Sequence, residues 1–151
     1  MAGVTNKGKY AMLEITFRNA SVPTNYYIAL ITSAAAPTAD TNTFADLTEI
    51  AAGNGYTAGG ISLTKNSTDF DVLTEDDTND RALIQLKDIV WTASGGTLPA
   101  SGSGARYAII TDDNGTQSAR RVIAYFDLTS DRSVSSGQTL TLQNCEIRIN
   151  E

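Results

Sequence analysis

Apolar and polar residues alternate with a period of two through most of the chain, and clusters of Gly, Pro, Ser, Thr and Asp cut the alternation into short runs. Residues 25–32, Asn-Tyr-Tyr-Ile-Ala-Leu-Ile-Thr, form an unbroken apolar run of strand length, the pattern of a strand covered on both faces. Residues 61–63 and 69–73 are short candidate strands. Residues 81–86 turn Ala82, Ile84 and Leu86 inward and Arg81 and Gln85 outward. Residues 88–92, 105–111 and 120–127 supply three more strands, separated by a breaker-rich loop at 93–104 and the turn 112–115. Asn114-Gly115 between two apolar runs is a strong hairpin signal, because both residues tolerate positive φ. In the closing segment, 139–150, apolar residues occupy Leu140 and Leu142, then Cys145, Ile147 and Ile149. A period of two changes parity when one residue is inserted, so the pattern predicts a β-bulge near Gln143 and Asn144.

Two stretches depart from strand periodicity. In residues 9–19, Tyr10, Leu13 and Phe17 recur at i, i+3 and i+7, while Leu13, Ile15 and Phe17 also alternate. The good helix formers Ala, Met, Leu and Glu favour a helix there, with Asn19 closing it, and that helix is expected to cover one face of the 25–32 strand. Thr43 and Asp46 form a partial capping box ahead of a short helix edged by Phe44, Leu47 and Ile50. Residues 1–8 are small and polar and read as an N-terminal arm, leaving 9–151 as a single domain. With about seven or eight short strands and one or two short helices near the N-terminus, the expected fold is mainly β, an antiparallel sandwich of jelly-roll-like character.

The glycine-rich stretch 51–60 contains Gly53-x-Gly55-x-x-Ala58, which formally satisfies a dinucleotide fingerprint. That fingerprint requires a strand before it and a helix after it, and here the order is reversed. The loop is instead expected to position Tyr56. Residues 74–80 are the most acidic stretch, but their spacing fails the EF-hand pattern and its glycine is missing, so they read as a solvated hairpin tip.

Composition narrows the chemistry. The 151 residues carry 11 basic and 17 acidic side chains, a formal charge of −6, which argues against a nucleic-acid partner. The chain has no histidine and a single cysteine, Cys145. This closes the Ser-His-Asp logic, His-ligated metals and Cys-rich zinc sites, and Cys145 is expected to be a buried, inert thiol. No apolar run approaches the roughly 18 residues of a membrane span, and the start lacks a signal-like apolar region, so a product made in the cytoplasm without processing, and with no membrane partner, is expected. No catalytic residue, cofactor or metal ligand is assigned. The residual enzyme reading rests on Asp69, Asp71, Glu75 and Asp127 as a carboxylate pair for glycoside hydrolysis. A sugar-binding reading uses Tyr26, Tyr27, Tyr56 and Trp91 as stacking aromatics, with Asp76, Asp77 and Asp80 as polar partners.

Several stretches in order, 26–33 with the Ala/Pro/Thr/Asp loop after it, 53–60, the segment from Asp88 through Trp91, Leu98 and Pro99 to Ala108, then 122–128 and 134–142, together resemble the small β-sandwich structural proteins of tailed-bacteriophage virions. The resemblance covers most of residues 25–142 and contains no catalytic signature; the acidic stretch 74–80 is longer than in many relatives. It implies a non-enzymatic virion protein, foremost a capsid decoration (cement) subunit that forms a homo-oligomer, a trimer, and sits on the major capsid protein. The alternative is a tail or fibre component with a carbohydrate- or receptor-binding role. Partner contacts are expected from the arm through Val4, Asn6 and Lys7, and from the loops and strand through Tyr56, Trp91, Leu98 and Pro99.

Overall fold

The computed structural model describes residues 2–150, as strands β1 (Ala2–Val4), β2 (Asn25–Ile31), β3 (Ile61–Thr64), β4 (Val72–Asp76), β5 (Arg81–Gln85), β6 (Ile89–Thr92), β7 (Ala105–Thr111), β8 (Val122–Arg132), β9 (Thr139–Leu142) and β10 (Glu146–Asn150), with one α-helix, α1 (Asn6–Phe17). Every strand pair is antiparallel. A five-stranded sheet runs β1-β8-β7-β2-β3, and the second layer combines β10-β5-β4 with β6-β9. The mainly β, antiparallel expectation holds. The strands number ten because residues 2–4 add one and the closing segment divides into two.

The alternation in β2 explains the layering. Ile28 and Leu30, with Ala108, Ile110, Ala124 and Phe126, point to the second layer and meet Leu86, Ile89, Trp91, Leu140, Leu142 and Ile147 in the main core. Ala29 and Ile31, with Ile109 and Val122, fill the other face beneath Phe44, Leu47, Tyr107 and Tyr125. So β2 is covered on both sides as its sequence indicates, but Phe44 and Leu47, rather than the N-terminal helix, cap the outer face. The element around Phe44 is a single 3-10 turn, Phe44–Asp46, in which the Asp46 carboxylate accepts the N–H groups of Asn42 (3.0 Å) and Thr43 (2.8 Å).

The N-terminal arm is part of the fold. Ala2, Gly3 and Val4 pair with Phe126, Tyr125 and Ala124 of β8, and the helix starts at Asn6, three residues before the expected boundary. The reason is a bulge in β8: Thr111 pairs with Val122 and Ile110 with Ala124, leaving Ile123 as an extra residue. Thr5, fully buried, meets the disturbed backbone. Its N–H donates to the Ile123 carbonyl (3.0 Å), its hydroxyl donates to the Val122 carbonyl, and its Oγ1 accepts the Gly8 N–H (2.8 Å) as the helix N-cap. Gly8 lies so close that a Cβ there would run into the Ile123 carbonyl. The helix therefore buries its small residues, Gly8 and Ala11, and turns Tyr10, Leu13 and Phe17 outward at 55, 58 and 74 % exposure. Asn19, at φ 53°, closes the helix as expected.

The second layer corrects the predicted bulge. Ile89 pairs with Leu142 and Gln85 with Glu146, so equal-length interruptions, 86–88 and 143–145, face each other and the register is preserved. The Leu86 N–H donates to the Cys145 carbonyl (3.0 Å) across the break, and Asn144 takes φ 53°. Both strands change parity together, Leu86 to Ile89 and Leu142 to Cys145, all four side chains being buried. The irregularity is where the pattern placed it, but it is a shared kink rather than an insertion. β4 begins at Val72 rather than at 69, so Glu75 and Asp76 lie within it, and residues 77–80 make the hairpin tip with Asp80 at φ 49°.

Thr5 serves the cap and the bulge with one side chain. Thr5→Ala is expected to lower stability by about 1–3 kcal/mol in urea denaturation, and Thr5→Ser, which keeps the hydroxyl, to recover most of that loss.

Candidate functional site

The glycine-rich loop is a positioning device. Gly53 (φ 115°), Asn54 (51°) and Gly55 (99°) turn the chain so that Gly53 and Tyr56 exchange backbone hydrogen bonds of 2.8 and 3.0 Å. Tyr56, 3 % exposed, donates its hydroxyl to Glu49 Oε1 (2.8 Å) and accepts the Leu30 N–H (3.0 Å). Glu49 also accepts the Gly59 N–H (2.6 Å) and the Gln117 amide (2.7 Å). Burial, reinforced by the Glu49 carboxylate, drives the Tyr56 hydroxyl far above its ordinary pKa. The loop opens onto strand β3, with no helix N-terminus to meet a phosphate.

The residues expected to contact partners are divided between core and surface. Trp91 and Leu98 are 2 and 0 % exposed, Pro99 is buried, and the Tyr56 and Trp91 rings lie 6.2 Å apart inside the fold. These four belong to the core and are not available as contact residues, because the loop 93–104 folds back over the sheet: Leu98 and Val134 exchange backbone hydrogen bonds of 2.9 Å. Val4 is half-buried in β1. Asn6 is exposed, its amide donating to Asp40 (2.9 Å), and half-buried Lys7 lies 5.3 Å from the Tyr10 ring centre. The four stacking candidates do not form a platform. Tyr26 packs edge-on against Phe70 (5.8 Å), and Tyr27 lies beneath the Arg120 guanidinium (3.6 Å).

The carboxylates are occupied locally. Asp112, 1 % exposed, accepts from both the backbone N–H (2.8 Å) and Nε (2.5 Å) of Arg121, whose Nη1 reaches Glu14 on α1 at 3.2 Å. Asp69 holds Lys87 (2.5 Å) and accepts the Thr64 N–H (2.7 Å). Asp127 takes Arg106 (3.0 Å) and the Thr129 N–H (2.7 Å). Asp76 binds Asn79 and Arg81. Asp69 and Asp127, the buried or paired members of the proposed hydrolytic set, are thus each neutralised by a different cation, while Asp71 and Glu75 are exposed. Among the described residues no group of three or more His, Cys, Asp or Glu is arranged to hold a metal ion. Cys145 is 6 % exposed, and burial together with Asp88 pushes its thiol up to about 11, which suits the inert reading.

Three surface features remain, each combining apolar and polar side chains. A groove of about 890 Å³ lies between β1–β8 and β9–β10, floored by Phe126, Leu142 and Cys145. A second hollow, of about 740 Å³, lies on the β4-β5-β10 sheet, with Leu73, Ala82 and Ile149 beside Glu75, Asp77 and Asp80. The outward stripe of α1 is the third. Sequence periodicity marks that stripe but assigns it to the core; Gly8 and Ala11, three apart on the opposite face, are the signal that the small side packs.

The fold thus defines an antiparallel β protein in which Asp69, Asp76, Asp112 and Asp127 are spent on internal clamps. Neither a protein family, a curated protein nor a solved structure matches the chain.

Replacing Tyr56 with Phe leaves the Leu30 N–H and Glu49 without their shared partner, and is expected to cost about 1–3 kcal/mol in equilibrium denaturation. The pKa of Asp69 is lowered from 3.8, chiefly by Lys87; that of Asp76 by Asn79; and that of Asp127 by the Thr129 N–H. A depressed folded pKa means stability that is present above the unfolded value and lost as pH falls through the folded one. Denaturation midpoints are therefore expected to fall as pH drops below about 4, and Asp69→Asn to flatten that decline.

Proposed function

We propose that this chain is a non-enzymatic structural subunit of a tailed-bacteriophage virion, a capsid decoration protein that works by self-association and by seating on the major capsid protein. The observation that carries the reading is the surface of the single chain. Tyr10, Leu13 and Phe17 on α1, and Leu73 and Ile149 on the β4-β5-β10 sheet, are each at least half exposed, and apolar side chains exposed in two such patches belong to surfaces that become covered in an assembly. The commitment of Glu14, Asp69, Asp76, Asp112, Asp127 and Glu146 to internal ion pairs supports the same reading, since these six carboxylates act as fasteners. So does the sequence resemblance to phage β-sandwich subunits, which carries no catalytic signature.

A sugar-binding fibre module has less support. Two of its four aromatic candidates are core residues, and the other two are engaged by Phe70 and Arg120.

Cryo-microscopy of intact particles containing this protein tests the proposal. Density for this fold repeated over the capsid lattice is the expected result. Density confined to the tail removes the decoration assignment.

A further inference from the structure

Two exposed surfaces of the chain each have an apolar centre, and they are bordered by opposite charges. The first is the outward ridge of α1, where Tyr10, Leu13 and Phe17 form an apolar line at 55–74 % exposure. Lys7, Lys9 and Arg18 surround it, and none of the three forms an ion pair with a carboxylate among the described residues. The second is the hollow on the β4–β5 hairpin. Cross-strand pairing puts Leu73 opposite Ile84 and both Glu75 and Ile149 opposite Ala82, so Leu73, Glu75, Ala82 and Ile149 share one face. Leu73 is 77 % and Ile149 52 % exposed, and Glu75, Asp77 and Asp80 stand beside them without a cation. The helix packs along β8 and has no extended contact with β4 or β5 in its own chain.

We propose that the helical ridge of one copy docks into the acidic hollow of the next. Apolar residues meet apolar residues at the centre, and Lys9 and Arg18 face Glu75 and Asp77 at the rim. Charge complementarity selects a second copy as the occupant: in a chain with a net charge of −6, three of the six cations that form no ion pair among the described residues cluster on the ridge, and three unpaired carboxylates border the hollow. Because the two patches differ, the contact is head-to-tail, and it closes into a ring when the rotation between copies allows. The interface rests on the homo-oligomer reading given above and adds which surfaces meet.

The test is the association state of the full chain by analytical ultracentrifugation, at low and high salt, for four proteins. They are the wild type; Lys9→Glu with Arg18→Glu; Glu75→Lys with Asp77→Lys; and the variant carrying all four changes. All four side chains are exposed, and thermal melts of each variant check that the fold is kept. The expected result is a self-associating wild type weakened by salt, at least about tenfold weaker association in each double variant, and recovery in the fourfold variant. A wild type that associates while the double variants do so equally well, or a fourfold variant that does not recover, overturns this interface and leaves the homo-oligomer reading standing. A wild type that is monomeric throughout overturns both.

Discussion

One extra residue in one strand governs how the chain begins. Ile123 breaks the β7–β8 ladder, and a broken ladder leaves backbone carbonyls that must find donors when buried. Thr5 supplies them, through its N–H to Ile123 and its hydroxyl to Val122, and the same hydroxyl oxygen caps α1. Several consequences follow from that contact. The first residues are held as β1 along β8, the helix axis is brought so close that position 8 has no space for a Cβ, and the bulky side of the helix faces outward. Arg121, next to the bulge, ties the arrangement down by gripping buried Asp112 on one side and Glu14 of the helix on the other. A buried carboxylate of this kind is tolerable because its charge and lone pairs are met at once by the backbone and guanidinium of Arg121 and by the Asn114 N–H.

The strands were legible because burial imposes alternation, and alternation survives in sequence. The β2 run appears where its residues indicate and is covered on both faces. Two other expectations are corrected. Ala82, expected inward, is exposed because the hairpin runs on past the buried Ile147 and half-buried Ile84. β7 and β8 are joined by the ten residues 112–121, with a 3-10 turn at Gln117–Ala119, rather than by a tight turn at 112–115. The closing segment shows the limit of reading one strand alone. Leu142 to Cys145 changes parity, and a lone strand can explain that only by an insertion. The partner strand carries the same change, from Leu86 to Ile89, and when both members of a pair change together the register need not move. The information was in the chain, but in two segments more than fifty residues apart, and joining them requires knowing that they pair.

The candidate site was less legible for a different reason. Periodicity reports that a helix has an apolar side; it does not report which side faces the protein. Large apolar residues were assigned to the core and small ones ignored, whereas the bulge in β8 admits only Gly8 and Ala11. Trp91, Leu98 and Pro99, the partner contacts expected on loop and strand, are instead buried. That loop is held over the sheet by backbone bonds between Leu98 and Val134 and between Ala93 and Gln138. The reading of 51–60 succeeded because positive φ at Gly53 and Gly55 is a local demand, visible in the residue types themselves.

How the charge is distributed matters more than how much there is. Arg81, Lys87, Arg106, Arg121 and Arg148 are each spent on a carboxylate within the chain, and Arg120 is spent on the Tyr27 ring. Cations used in this way stiffen the fold and offer little to a partner. Lys9 and Arg18 are different, because the helix that carries them is anchored by its small face and by Glu14, leaving both side chains exposed. An exposed pair of opposite charges contributes little stability by itself, so the value of unspent charge lies in orienting contacts that apolar area then holds. The same constraint that turned Phe17 and Leu13 outward also placed these cations around them, so the bulge at Ile123 determines the character of the protein's surface as well as the path of its backbone.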